Sequence, residues 1–207
     1  MDPARTLARQ AEELGADIGA DQAEALIAFE RLLLDRGVPL GAVSEGDAGR
    51  LRERHVLDSL RAVRAISSRD REAIDVGTGA GLPGVVLAIA RPEVRFTLLE
   101  PRRRRAAFVE LAVERLGIRN ARVLPRRAEE FAAQVAAGCE PAAEVAFARA
   151  LGPLDRCLSL AGGLLTPGGR LVWFAGKRRA HPLPPGAAVI ETPALESAGP
   201  LVIMGRQ

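Results

Sequence analysis

The chain contains no tyrosine, one tryptophan, six phenylalanines and two cysteines. Each shortage excludes something. Hydride-transfer enzymes commonly place a tyrosine beside a lysine as the proton donor, and here tyrosine is absent and Lys177 is the only lysine. Cys139 and Cys157 lack the spacing of a metal-binding or redox pair, so no disulfide framework and no metal site are expected, and a reducing cytoplasm is. Long apolar runs are missing too. The longest, Val85 to Ala90, is far short of the roughly 20 residues that span a bilayer, so no membrane partner is expected. The opening MDPARTLARQAEELG carries acids and no apolar block, and reads as a helix rather than a secretory signal. Internal repeats and low-complexity tracts are absent.

What is present suits one domain, or one domain with an extension: 207 residues, 48% hydrophobic and 27% charged, with a mean hydropathy of +0.06. The net charge of +3 hides an asymmetry, because all 29 basic residues except Lys177 are arginines. Genomic base composition accounts for much of such an excess, so position is the better witness. Arg102 to Arg105 form a run, Arg126 and Arg127 a pair, and Lys177 to Arg179 a triple, each after an apolar segment. Guanidinium binds anionic oxygens in a fork, so these clusters suit phosphate.

Organisation changes near residue 70, which divides a helical extension over 1–69 from an α/β domain over 70–207. In the first part Asp21 and Glu24 have the spacing of a capping box, Leu26, Phe29 and Leu33 form one stripe, and Gly37 and Pro39 stop it. Val56, Leu60 and Val63 place another helix after Gly49. The second part alternates short β-branched runs with helical stretches, the pattern of a parallel sheet with crossover helices. Strands are expected near Ala73 to Gly77, Val94 to Glu100, Ala121 to Leu124, Glu144 to Ala148 and Leu171 to Ala175. Ala187 to Glu191 and Leu201 to Met204 have no helix between them, which suits an antiparallel edge. HPLPPG, residues 181 to 186, reads as a loop.

The sharpest chemistry lies in IDVGTGAGLPG, Ile74 to Gly84, where a buried strand meets closely spaced glycines and a helix begins near Pro83. Nucleotides bind at such strand ends. Gly79, Gly81 and Gly84 also satisfy the dinucleotide fingerprint, and Glu100 lies roughly 20 residues on, where a ribose-binding acid is expected. The loop alone therefore leaves NAD and S-adenosylmethionine both open. Two neighbours favour the latter. A pyrophosphate needs free amides at the helix start and Pro83 removes one, whereas a sulfonium needs no phosphate cradle. Asp75 also fits the methyltransferase loop DxGxG, where it can orient the loop or reach the methionine end of the cofactor. A third reading, a non-catalytic RNA-binding or ribosome-assembly protein on a degenerate scaffold, explains the arginines but not an intact glycine loop with Glu100.

The methyl acceptor can be narrowed by what the chain lacks. Exocyclic amine methylation normally carries Asn or Asp followed by Pro-Pro-aromatic after the fourth strand, and here that strand ends FARALGP. Carbon-5 pyrimidine methylation needs a thiolate, and neither cysteine is suitably placed. A ring nitrogen such as guanine N7 already offers a free in-plane lone pair, so positioning and a dry site suffice.

RHVLDSL at 54 to 60, DVGTGAGLPG, LLE with the basic run and Phe108, AEEF at 128 to 131, ARA at 148 to 150 and PLVIM near the end follow one another in order. In these segments the chain resembles the bacterial RsmG (GidB) family. The resemblance implies a class I Rossmann-like methyltransferase with a mainly parallel seven-stranded sheet and an N-terminal helical extension. It implies S-adenosylmethionine as cofactor and transfer of its methyl group to guanine N7 of 16S ribosomal RNA, at the guanine numbered 527 in that RNA, as free RNA or within a small subunit or assembly intermediate, by a monomer.

Carried over residue by residue, the resemblance implies that Gly77 and Leu82 line the cofactor cleft, with Gly79 and Gly81 giving backbone room. Glu100 would accept from the ribose hydroxyls, and Ala128 with Glu129 would meet the adenine. Arg149 would face cofactor and substrate from the end of the fourth strand. A forked arginine contact to guanine O6 and N7 would occupy the reacting lone pair, so Arg149 is assigned to the methionine carboxylate or an RNA phosphate. His55 and Asp58 share a helix face, and Arg54 is expected to pair with Asp58 one turn away. His55 is expected near the target base. RNA contacts are expected from Arg54, Arg102, Arg103, Arg104, Arg105, Lys177 and Arg178.

Overall fold

A computed structural model describes residues 2–176, 183–195 and 198–206. Seven strands form one sheet in the order β3-β2-β1-β4-β5-β7-β6. They are β1 Glu72–Val76, β2 Arg95–Leu99, β3 Ala121–Leu124, β4 Ala143–Arg149, β5 Leu165–Phe174, β6 Ala188–Ile190 and β7 Leu201–Gly205. The first five are parallel, and β7 inserts antiparallel between β5 and β6. All seven expected strands are present, each within a few residues of its expected bounds except β5, which starts earlier. Lys177 and Arg178, like His181 and Pro182 of the HPLPPG segment, lie outside the described residues.

Side chains alternate across the sheet because successive residues of a strand point to opposite faces. Ala73, Val145 and Phe147 enter the cluster beneath α4 (Gly84–Ala90) and α5 (Arg103–Arg115). Ile74, Val76, Ala146 and Ala148 face α6 (Ala128–Ala136) and α7 (Leu154–Gly162). The strand order reverses between β1 and β4, whose carboxyl ends bring Gly77 and Arg149 side by side. That reversal creates the crevice in which sheets of this class bind ligands.

Residues 3–65 are mostly helical and pack on the α4 side, within the same hydrophobic cluster. The helix α1 (Pro3–Glu13) is capped by Asp2, whose Oδ1 accepts from the Ala4 amide at 3.0 Å. The expected capping box at Asp21 and Glu24 does not form. Instead α2 (Ala20–Leu32) starts two residues earlier, at Gly19, whose amide donates to Gln22 Oε1 at 2.7 Å. Gln22 is drawn there because its Nε2 donates to the carbonyls of Ile89 and Ala90, which close the end of α4.

After a turn at Val38 to Ser44 the chain resumes as an irregular helix, tight over Glu45–Arg50, wide over Arg52–Leu57, α-helical over Asp58–Leu60 (α3) and tight again over Arg61–Ala65. Ion pairs fasten this stretch at both ends. Arg52 makes a forked bond to Glu30 of α2 at 2.8 and 2.7 Å, and Arg170 of β5 bonds both the Ala65 carbonyl and Asp70. The wide turn therefore runs over the carboxyl ends of the central strands.

Candidate functional site

The glycine loop leaves β1 at Val76 and turns through Gly77, Gly79 and Gly81, at φ +71°, +61° and +87°. Left-handed backbone requires glycine at these positions. Their surroundings differ. A Cβ on Gly79 would meet nothing nearer than the Gly77 carbonyl at 3.8 Å, so the space above it is open. One on Gly81 would strike Val85 at 2.7 Å and Phe29 at 3.2 Å. Gly81 is thus required by its φ and by packing against α2, and the room over the loop comes from Gly79.

Two buried acids hold the loop. Glu100, just past β2, accepts from the amides of Gly79 at 3.0 Å and Arg102 at 2.9 Å, one through each oxygen. Each carboxylate oxygen keeps a second lone pair. Asp75 accepts from the Gly84 amide at 2.8 Å through Oδ2, while its Oδ1 is buried without a hydrogen-bond partner. Burial pushes the Asp75 carboxyl up to about 6, a rise tempered by the Thr78 hydroxyl, the Gly84 amide and the positive Arg149. Gly84 leaves no room for a side chain, since a Cβ there would lie 2.3 Å from Leu98. Leu82 is buried beside the cis Leu82–Pro83 bond, and Ala128 and Glu129 open α6 beyond the end of β3, the first buried and the second exposed.

On the other side of β4 the arginine network lies where the irregular helix crosses the strand ends. Arg149 Nη2 donates to the Arg54 carbonyl at 2.7 Å and lies 3.0 Å from His55 Nδ1 and 3.2 Å from Asp58 Oδ2. Asp58 Oδ1 accepts from Arg61 Nε at 2.8 Å, and Arg61 is almost wholly buried, at 1% exposure. Both guanidiniums lie over the Phe174 ring, at 5.5 Å for Arg61 and 5.8 Å for Arg149. Burial pulls the Arg149 guanidinium below its usual range while Asp58 supports its charge. Burial, then the charge of Arg149, likewise lowers His55, so the imidazole is neutral. With Nδ1 accepting from Arg149, the ring proton belongs on Nε2, which is buried 3.5 Å from Asp47 Oδ2.

The expected pairing of Arg54 with Asp58 is corrected. Arg54 bonds Asp47 at 3.0 Å, because the wide turn carries it away from Asp58, whose carboxylate faces the buried Arg61 and Arg149. Sequence reading missed Arg61, Phe174 and Asp47. An arginine between Leu60 and Ala62 on an apolar stripe was the one available signal. The residue after Arg149, Ala150, holds φ +53°, a conformation uncommon for a residue with a Cβ and concentrated at functional sites. Of the basic run, Arg102 caps α5, Arg102 to Arg104 are exposed, and Arg105 donates to the Gly41 carbonyl at 3.0 Å.

Residues 22–192 match the family GidB, described as rRNA small subunit methyltransferase G. Curated relatives carry the same description. A protein of Salinispora arenicola named ribosomal RNA small subunit methyltransferase G is 41% identical over 173 residues, covering 83% of this chain and 71% of the relative. One of Acidiphilium cryptum with that name is 42% identical over 154 residues, covering 73% and 67%. Among solved structures, a methyltransferase from Geobacter sulfurreducens aligns over 89% of this chain and 90% of its own with a TM-score of 0.58 at 14% identity. A SAM-dependent methyltransferase from Aquifex aeolicus aligns over 76% and 93% with a TM-score of 0.54 at 16% identity. Likeness at such identity speaks for the fold.

Proposed function

Because the chain belongs to the GidB family, rRNA small subunit methyltransferase G, we propose that it moves a methyl group from S-adenosylmethionine to guanine N7 of 16S ribosomal RNA, at the guanine numbered 527. It is an S-adenosylmethionine-dependent rRNA methyltransferase. The observation that carries the site assignment is the glycine loop tied to buried Glu100, with open space over Gly79. The cradle fits the cofactor: a carboxylate with free lone pairs suits vicinal hydroxyls, and a glycine without a Cβ lets a ligand approach the backbone. When bound, the cofactor supplies an electrophilic methyl on a sulfonium.

The protein's own groups then have positioning work. Glu100 takes the ribose, and Gly77 and Leu82 line the cleft, with Ala128 and Glu129 at the adenine. Asp75, through the Gly84 amide, keeps the loop and the start of α4 together. Arg149 stands between the loop and the arginine network, held by Asp58, His55 and the Arg54 carbonyl, with its charge directed at the methionine carboxylate or an RNA phosphate. Neutral His55 works through Arg149 as a positioning residue. Guanine N7 carries its own lone pair, so a site with no base poised to remove a proton is adequate. As an enzyme acting on ribosomal RNA it works in the cytoplasm, on the RNA of a small subunit under assembly, with Arg54, Arg102, Arg103 and Arg104 near the phosphates.

The test is mapping N7-methylguanine in ribosomal RNA from cells with and without the gene, together with binding of S-adenosylmethionine to the purified protein. Loss of one N7-methylguanine with the gene is expected. Unchanged modification together with no cofactor binding would leave the chain a non-catalytic RNA-binding protein.

A further inference from the structure

A cleft of about 660 Å³ opens between the irregular helix and the ends of β4 and β5. Arg50, Arg54, Arg61 and Arg149 line it, with Asp58 as the one acid among the described lining residues. Three of these arginines are committed, Arg54 to Asp47 and the other two to Asp58. Arg50 is exposed and makes no hydrogen bond or ion pair with any described residue. The cleft thus carries surplus positive charge, one guanidinium of which is uncommitted at its mouth. Such a fork fits a carboxylate or a phosphate, and an RNA substrate supplies the phosphate.

The opposite wall is built from residues with little or no side chain. Ala150, Ala175, Gly176 and Gly199 contribute backbone and methyl groups, leaving a slot. The wall is fixed: a Cβ on Gly199 would lie 2.3 Å from the Ala175 carbonyl, so the two segments touch backbone to backbone, and the Ala175 amide donates to the Pro200 carbonyl at 3.1 Å. Gly176 is different, since a Cβ there would meet no described residue within 4 Å. This side of the cleft therefore keeps room that larger side chains would fill. It lies beyond β4 from the glycine loop, and the two strand spacings from β1 to β5 amount to about 10 Å. Arg149 borders both compartments, close enough to influence Asp75 and also lining the cleft.

We propose that this cleft receives the target guanosine unstacked from its RNA, with the base in the slot at Gly176 and Arg50 on a phosphate of the same or the neighbouring nucleotide. The assignment rests on the rRNA methyltransferase reading and adds the place where substrate enters. Enzymes that modify a base within folded nucleic acid draw it out of its stack into a fitted pocket. A pocket of this size takes one nucleotide, and its lining, positive at the mouth and small along the wall, separates phosphate from base.

Two variants test it, Gly176→Val to fill the slot and Arg50→Gln to remove the free cation. Each is compared with wild type for thermal stability, S-adenosylmethionine affinity, binding to unmethylated 16S rRNA at several salt concentrations in the presence of S-adenosylhomocysteine, and methyl transfer to that RNA. Both variants should keep wild-type stability and bind cofactor within about twofold of wild type. Gly176→Val should lower kcat/KM for RNA at least tenfold, and Arg50→Gln should weaken RNA binding and reduce its salt slope by about 0.7, one single-strand phosphate contact. Wild-type RNA binding and turnover in both variants would overturn the assignment while leaving the methyltransferase reading intact. A parallel loss of cofactor affinity would overturn it too, by giving the cleft to the cofactor. A wild-type enzyme that binds cofactor yet transfers no methyl to ribosomal RNA would remove the function and the cleft assignment together.

Discussion

Asp58→Asn should unsettle the arginine network more than any single change at its rim. The carboxylate stands between two buried cations, 2.8 Å from Arg61 and 3.2 Å from Arg149, with side-chain exposures of 13%, 1% and 16% for the acid and the two arginines. Removing one partner of a buried pair leaves an uncompensated charge and costs about 3 to 5 kcal/mol. Asparagine keeps an acceptor oxygen for one guanidinium, which puts the expected loss near the lower end, about 3 kcal/mol. For a chain of this length that corresponds to a fall in Tm of about 6 to 12 °C. Urea unfolding monitored by circular dichroism reads the first figure and calorimetry the second. Arg149 should also lose its fixed direction, weakening cofactor binding in the folded variant. Adding Arg61→Met removes the stranded cation and should recover part of the stability, because a hydrophobic replacement of a buried ion pair is often neutral. A stability loss under about 1 kcal/mol would refute the reasoning by showing that solvent screens this network.

Asp75 titrates at about 6 against an ordinary value of 3.8, so the folded state holds the extra proton between those values, and stability falls as pH rises through that window. Asp75→Asn should remove a penalty of about 3 kcal/mol at pH 7 and flatten the profile between pH 4 and 7 in urea unfolding, and an unchanged profile would refute the buried charge. Glu100→Gln should weaken S-adenosylmethionine binding by about 1.5 to 3 kcal/mol in titration calorimetry, the worth of a charged hydrogen bond, and unaltered affinity would remove the ribose assignment. Neutralising Arg102, Arg103 and Arg104 to glutamine should lower the RNA-binding salt slope by about 0.7 to 0.9 per lost phosphate contact while cofactor affinity holds. A slope that survives would make this exposed run a solvated surface.

The elements that repeat a local pattern were legible in the chain. Seven strands, the crossover helices and the glycine turn all follow from periodicity and from backbone that only glycine adopts, because those demands are met by residues close in sequence. RHVLDSL and DVGTGAGLPG, far apart in the chain, hold residues that the fold brings to neighbouring strand ends. The start of α2 was not legible, because Gln22 is positioned by carbonyls of α4, far along the chain, and that contact outweighs the local capping signal at Asp21 and Glu24.

The same limit governs the charged residues. Spacing by one helical turn favoured Arg54 with Asp58, but that rule assumes a regular helix, and the backbone widens over Arg52–Leu57. Arg54 turns to Asp47 and Asp58 to Arg61 and Arg149, pairings that require β4 to lie beneath the helix. Gly81 and Gly79 look alike in the sequence, yet one abuts Phe29 of a distant helix while the other faces open space. The sequence by itself determined which segments are extended or helical and where glycine turns the chain, since those choices cost or release energy within a few residues. Which guanidinium meets which carboxylate, and which one is left facing an open cleft, was decided only by the tertiary structure, because desolvation and ion pairing act between groups that folding brings together.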